Sequence, residues 1–149
     1  MTGSDLRWSD VWLLTSLWYA SRKRPADLVD LLAVADLINH AVPNPEELQS
    51  GLVRLREAGL IEQEEGAFRF RCSSKAVGVI EPFASESKTL RQLWKELEAR
   101  LGATQWTPGE PLPHPANDKE YPGFTTDTYA QAVEQYQRRM RSRSRKKAR

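Results

Sequence analysis

The sequence predicts a mainly α-helical protein that carries a single two-stranded β-hairpin. Over several segments, apolar residues recur at intervals of three and four, which is the spacing of one face of an α-helix. Residues that cap or stop helices separate these segments. One further stretch alternates apolar and polar residues around a Glu-Gly pair, as a β-hairpin does. A chain of 149 residues is long enough for one modest domain with additional segments.

Two helices are predicted near the N-terminus. The first covers residues 10–21, "DVWLLTSLWYAS", and Ser9 is its expected N-cap. This segment is apolar on most faces, which indicates that it is buried or lies in an interface. Pro25 disfavours helix in the residue before it, so the first helix ends within "RKRP". The second helix covers residues 26–39, and its apolar stripe consists of Leu28, Leu31, Leu32, Ala35 and Ile38.

The third helix has the clearest start and stop signals. Asn44 is its predicted N-cap, Pro45 occupies the first helical position, and Glu47 is placed to return a hydrogen bond to the cap. Gly59 is the expected left-handed residue that closes the helix. Its inward-facing residues are Leu48, Leu52 and Leu55.

A β-hairpin follows the third helix directly. If Glu65 and Gly66 form a two-residue turn, Glu62 lies opposite Arg69. The alternation then gives two different faces, as a half-buried ribbon requires. The apolar face consists of Ile61, Gln63, Phe68 and Phe70, and the charged face of Glu62, Glu64, Arg69 and Arg71.

The rest of the chain divides into weaker elements. Residues 73–84 suit either a short helix capped by Ser74 or a strand, and a firmer helix is predicted over 87–101. We expect one domain over residues 1–102, then a proline-rich linker over 103–125. Residues 126–149 are predicted to begin with a short helix, about 127–139, and to end in a disordered basic tail that can bury nothing.

The charge is unevenly distributed along the chain. Residues 138–149 carry eight positive charges and no acid, whereas residues 1–137 carry a net charge of −6. Such a tail predicts affinity for polyanions, DNA or RNA, without sequence specificity. The alternative is a tail that serves solubility or localisation. The predicted contacts are Arg138, Arg139, Arg141, Arg143, Arg145, Lys146, Lys147 and Arg149.

The segment "LREAGLIEQEEGAFRF" resembles the junction at which bacterial winged-helix (winged helix-turn-helix) regulators pass from the third helix into the wing. The resemblance covers about residues 9–72, and the 87–101 helix would be an added packing or dimerisation element. It implies a DNA-binding transcriptional regulator whose third helix enters the major groove. The residues that would contact DNA are Gln49, Ser50 and Arg54 on that helix and Arg69 and Arg71 on the hairpin.

The same stretch also carries acids that oppose phosphate binding. Glu46 and Glu47 begin the third helix, and three more acids, Glu62, Glu64 and Glu65, lie in the hairpin. The alternative function is therefore a non-catalytic protein-interaction module that docks on a basic partner through the third helix and the hairpin.

Enzymatic and metal-dependent functions are not predicted. His40, His114 and Cys72 lack the spacing of zinc ligands. The sequence has no phosphate-binding loop, nucleophile elbow or metalloprotease motif, so we expect no catalytic residue, no metal and no cofactor. A single cysteine permits no internal disulfide, and neither a signal pattern nor a membrane span is present, which favours a cytoplasmic protein.

Five tryptophans are many for this length, and two explanations are open. Trp12 or Trp18 of the first helix could pack against Trp94 of the 87–101 helix within one core. Alternatively, helices 10–21 and 87–101 could form the interface of a homodimer, since interfaces are enriched in tryptophan. The remaining two are Trp8 and Trp106.

Overall fold

The computed structural model of the chain describes residues 6–65, 67–101, 121 and 123–148, and side chains as far as Arg143. These ranges form six α-helices and one two-stranded antiparallel sheet, which confirms the predicted mainly helical fold with a single hairpin. The elements are α1 (Trp8–Ala20), α2 (Leu28–Asn39), α3 (Pro45–Glu57), β1 (Ile61–Gln63), β2 (Phe70–Cys72), α4 (Ser74–Ala84), α5 (Leu90–Leu101) and α6 (Thr126–Ala148).

Helix α1 is the centre of the core and packs against α2, α3 and α5. The indole Nε1 of Trp12 donates to the carbonyl of Ala35 in α2 at 3.0 Å. The prediction of Ser9 as N-cap is wrong, because α1 begins at Trp8. The backbone N–H of Arg7 donates to the Asp10 carboxylate at 2.8 Å, so an acid in the first turn satisfies a donor at the helix start.

A buried ion pair joins α1 to α3. Arg54 is 7% exposed and Asp10 is 0% exposed. The Arg54 guanidinium binds both carboxylate oxygens of Asp10, with Nε to Oδ2 at 2.6 Å and Nη2 to Oδ1 at 3.0 Å. The two helices approach closely beside this pair, because a Cβ atom on Gly51 would lie only 2.4 Å from Cδ1 of Leu13.

The predicted signals at both ends of α3 are confirmed. The Asn44 side chain accepts from the backbone N–H of Glu47 at 2.7 Å, and the Glu47 carboxylate accepts from the N–H of Asn44 at 3.0 Å. Gly59 has a φ of 73°, the left-handed conformation that closes a helix. The N–H of Leu60 then donates to the carbonyl of Leu55 at 2.9 Å, as in a Schellman motif.

The hairpin register differs from the prediction by two residues. Glu62 lies opposite Arg71 instead of Arg69, and Gln63 lies opposite Phe70. Because side chains alternate with a period of two, this shift leaves the apolar and charged faces as predicted. The connecting loop holds four residues, 65–68, since the N–H of Glu64 donates to the carbonyl of Arg69 at 2.8 Å.

Aromatic packing accounts for the longer loop. Phe68 leaves the ladder and packs edge-on against Phe70, with ring centroids 4.9 Å apart, and against Tyr121 at 6.0 Å. On its other side, β2 pairs with Ala26, which precedes α2. The N–H of Ala26 donates to the carbonyl of Phe70 at 2.7 Å, and the N–H of Phe70 donates to the carbonyl of Ala26 at 2.8 Å. The buried ring of Phe70 thus holds the hairpin against the helices.

Of the two structures that residues 73–84 allowed, the helix is present as α4, and its cap is Ser73 instead of Ser74. The predicted 87–101 helix begins later, at Leu90. Trp94 packs with Trp8 and Trp12 inside one chain, each pair of ring centroids being 6.2 Å apart.

This cluster confirms the single-core explanation for Trp12 and Trp94. The apolar residues of α1 and α5 on which the dimer hypothesis was based are largely buried within one chain. Association of two chains through helices 10–21 and 87–101 stays a prediction and would need other faces of these helices. Trp18 is partly buried against the core, and Trp106 lies outside the described residues.

The C-terminal segment differs most from the prediction. Helix α6 continues to Ala148, where an end near residue 139 and a disordered tail were expected. Arginine, lysine, glutamine and alanine have high helix propensity, and no Gly or Pro interrupts them, so a helix anchored at its start can continue.

The predicted linker, 103–125, lies outside the described residues except for Tyr121 and residues 123–125. Tyr121 and Phe124 are buried. None of the described helices has the length and apolar character needed to cross a membrane.

We expect Arg54→Ala to lower the free energy of unfolding by about 3 to 5 kcal/mol, because it leaves the buried Asp10 carboxylate without its partner. Urea denaturation of the full chain measures this change. Arg91→Ala is the matched control, since Arg91 is exposed on α5 and should change stability by less than about 0.5 kcal/mol. Equal effects of the two substitutions would contradict a structural role for the ion pair.

Candidate functional site

The predicted base-contacting residues of α3 are largely inaccessible. Arg54 is buried and bound to Asp10, so the prediction that it contacts bases is wrong. Ser50 is 6% exposed and cannot reach a groove either. Both residues face the core because Arg54, Ser50 and Gly51 lie on the side of α3 that packs on α1. Gln49 alone of the three is partly accessible.

The rest of that surface is acidic. The hairpin cations Arg69 and Arg71 are exposed, but Arg71 forms an exposed ion pair with Glu62 at 3.2 Å. Burial raises the pKa of Glu47, and the charge of Asp10 adds to this effect, while the hydrogen bond from Asn44 lowers it. The exposed acids on this side are Glu46, Glu57, Glu62, Glu64 and Glu65.

A C-terminal segment also lies along α3. At the C-terminal end of α3, Arg56 lies over the ring of Tyr121, 5.5 Å from its centroid. At the N-terminal end, the Tyr129 hydroxyl donates to the carbonyl of Pro43 at 2.7 Å. Tyr121 and Tyr129 therefore lie near opposite ends of α3, and Phe124 is buried.

A basic cleft lies elsewhere, between the turn that follows α1, the outer face of α2 and the second half of α6. It has a volume of about 930 Å³. Its described lining includes five arginines or lysines and two aspartates, so it is positively charged. We call these residues the basic cleft: Tyr19, Ala20, Arg22, Lys23, Arg24, Asp30, Ala33, Val34, Asp36, Leu37, His40, Tyr136, Arg139, Met140 and Arg143.

The cations of the basic cleft come from two distant parts of the sequence. Arg22, Lys23 and Arg24 form the turn after α1, and all three are exposed. Arg139 and Arg143 lie one turn apart on α6. From the sequence, this turn was predicted only to end the first helix. The run of three cations in "RKRP" is the signal that could have identified it as part of a basic surface.

Contacts between α2 and α6 place the arginines of α6 at the cleft. The Tyr136 hydroxyl donates to Oδ2 of Asp36 at 2.5 Å. One turn further along α6, Arg139 Nη1 contacts Oδ1 of Asp30 at 3.4 Å. Tyr136 and Ala132 are buried in this contact, so α6 is anchored to α2 by apolar packing as well as by charge.

Part of the lining of the basic cleft is apolar and exposed, and we call this part the apolar floor. Leu37 is 62% exposed and Met140 is 42% exposed, and both line the cleft. Only one other large apolar side chain among the described residues, Val77 at 36%, is comparably exposed. Ala33 and Val34 of α2 extend the same surface.

The predicted tail contacts divide into three groups. Arg139 and Arg143 line the cleft. Arg138 and Arg141 are exposed outside it, and Arg138 pairs with Glu134 at 2.5 Å along the helix. For Arg145, Lys146 and Lys147 the structure describes only the helical backbone, and Arg149 lies outside the described residues.

The described residues contain no group of three or more His, Cys, Asp or Glu side chains that could hold a metal ion. Cys72 at the end of β2 is partly exposed, and burial of its sulfur raises the thiol pKa to about 12. The thiol is therefore protonated at neutral pH and a weak nucleophile.

Comparison with protein-family models, with curated proteins and with solved structures finds no match to this chain.

The contact between α2 and α6 should titrate at high pH. Burial of Tyr136, and then its hydrogen bond to Asp36 and the charge of that carboxylate, raise the pKa of Tyr136 to about 12. Its contribution to stability is therefore complete below about pH 10, the ordinary tyrosine value, and is lost as pH rises through about 12.

We expect the difference in tyrosinate absorbance between the native protein and Tyr136→Phe to have its midpoint near pH 12. Tyr19→Phe serves as the control substitution at the opposite side of the cleft. A midpoint for Tyr136 near pH 10 would show that the hydroxyl is solvated and that α6 is not held on α2 as described.

Proposed function

We propose that this protein binds nucleic acid through the basic cleft and the basic half of α6, by contacts to phosphate that carry no sequence information. The observation that supports the proposal is the convergence of Arg22, Lys23 and Arg24 with Arg139 and Arg143 around one concave surface. Clustered cations on one face are the electrostatic footprint of a polyanion site.

The two acids of the basic cleft offset only part of its positive charge, because its described lining holds five arginines or lysines. Asp36 accepts the Tyr136 hydroxyl, and Asp30 is engaged by Arg139 and by the N-cap of α2. Among the described side chains, no carboxylate lies within ion-pair distance of the three cations of the turn or of Arg143. Their charges are therefore available to phosphates, which release bound counterions on binding.

We also propose a winged-helix arrangement for residues 7–72. The order of α1, α2, α3 and the hairpin supports it, as does the pairing of Ala26 with Phe70 beside the two-stranded sheet. Arg54 and Ser50 face inward, so in this proposal α3 does not enter a DNA groove. The helices instead serve as the scaffold that brings the turn after α1 next to α6.

The exposed acids support a second candidate function. Glu46 and Glu57 on α3 and the hairpin acids form a surface of opposite sign to the basic cleft. A partner protein with a basic surface would be steered to this side by electrostatic complementarity. The two functions are compatible, because they use different faces of the molecule.

We expect the triple substitution Arg22→Ala, Lys23→Ala and Arg24→Ala to weaken oligonucleotide binding by roughly tenfold to a hundredfold at about 0.1 M salt. Each phosphate contact that is lost should also reduce the slope of log K against log salt by about 0.7 to 0.9. Fluorescence anisotropy at several salt concentrations measures both quantities on the full chain.

The double substitution Arg69→Ala and Arg71→Ala is the control, because it removes exposed cations from the hairpin that the winged-helix resemblance implies would contact DNA. Binding that depends on the hairpin pair and not on residues 22–24 would overturn the proposed site. Absence of binding to any oligonucleotide would overturn the proposed function and leave the acidic surface as the candidate.

A further inference from the structure

We infer that the basic cleft takes single-stranded nucleic acid, with phosphates on its cationic rim and unpaired bases against its apolar floor. The inference rests on the proposed function and names its ligand class. Two features that phosphate binding alone does not use support it: the exposed apolar floor and a guanidinium that is held over an aromatic ring.

An apolar part of a ligand would cover the apolar floor more favourably than a charged part would. Leu37 and Met140 are exposed and line the same cleft as the cations of the turn and of α6. A double helix presents phosphates and sugars outward and keeps the faces of its bases stacked inside, so it offers nothing to such a floor. Unpaired bases expose both faces and stack on apolar or aromatic protein surfaces.

Arg22 forms a stacking surface at one edge of the cleft. Its guanidinium carbon lies 3.6 Å from the centroid of the Tyr19 ring, and its Nε donates to the Tyr19 carbonyl at 3.0 Å. These two contacts hold the guanidinium over a neighbouring ring while the residue stays exposed. Unpaired bases stack on guanidinium planes of this kind as well as on aromatic rings.

The size of the cleft agrees with this ligand class. A volume of about 930 Å³ falls at the upper end of the range of small-molecule pockets, roughly 300 to 1,000 Å³, and suits a few nucleotides. A double helix could contact only the rim. The basic outer side of α6, with Arg138 and Arg141, would continue the path of the backbone beyond the cleft.

The test compares three fluorescent ligands on the full chain at about 0.1 M salt. They are a thymidine oligonucleotide of about ten residues, the same backbone with every base removed, and a duplex of equal length. We expect the oligonucleotide with bases to bind at least about tenfold more tightly than both others, because a stacked base strengthens binding substantially.

Leu37→Ser combined with Met140→Ser should remove this preference while leaving the affinity for the base-free backbone unchanged. Val77→Ser is the matched control, because Val77 is an exposed apolar residue on α4 that does not line the cleft. All three side chains are exposed, so the variants should fold normally, and circular dichroism verifies it.

The outcomes separate this inference from the proposed function. Equal affinities for the three ligands, each lowered by Arg22→Ala, would leave phosphate binding intact and overturn the single-strand inference. Equally tight binding of polyglutamate would also overturn it, since the cleft would then recognise negative charge of any origin. Failure of all the nucleic-acid ligands to bind would overturn the proposed function itself.

Discussion

The buried ion pair between Asp10 and Arg54 is the constraint on which the arrangement of the helices depends. Two charges removed from water must keep both of their hydrogen bonds, so α1 and α3 can neither separate nor rotate without a large loss of stability. Gly51 permits the close approach that brings these charges together. Once Arg54 faces inward, the exposed charged residues of α3 are Glu46, Arg56 and Glu57.

The fixed orientation of α3 decides which surface can meet a polyanion. The acidic side of α3 and the hairpin repels phosphates, whereas the turn after α1 and the second half of α6 attract them. Tyr136 and Arg139 hold α6 on the two acids of α2: Arg139 pairs with Asp30, while Asp36 keeps its charge and accepts the Tyr136 hydroxyl. The other cations of the cleft outnumber this one remaining acid. Leu37 and Met140 line the same cleft and are exposed. The basic cleft therefore combines positive charge with an exposed apolar surface.

Local signals in the sequence were sufficient to place α2, α3 and the hairpin, whereas the start of α1, the length of α6 and the long-range contacts were not predicted. Asn44, Glu47 and Gly59 could be identified because a cap and a stop involve residues within one turn. The hairpin register could not be identified in this way, because Phe68 packs against Tyr121, which lies far along the chain. Arg54 was expected on the surface, because the sequence of α3 alone does not reveal that the buried carboxylate of Asp10 in α1 lies beside it. The basic cleft was missed because it joins a turn and a helix more than a hundred residues apart.

If nucleic acid binds the basic cleft and not α3 or the hairpin, as we propose, a titration of the isotopically labelled full chain with the thymidine oligonucleotide should show it in the backbone amide chemical shifts. We expect the largest changes in residues 19–24, 33–40 and 136–143, while α3 and the hairpin stay nearly unchanged. Changes concentrated in residues 45–57 and 61–72, with the cleft unaffected, would contradict it.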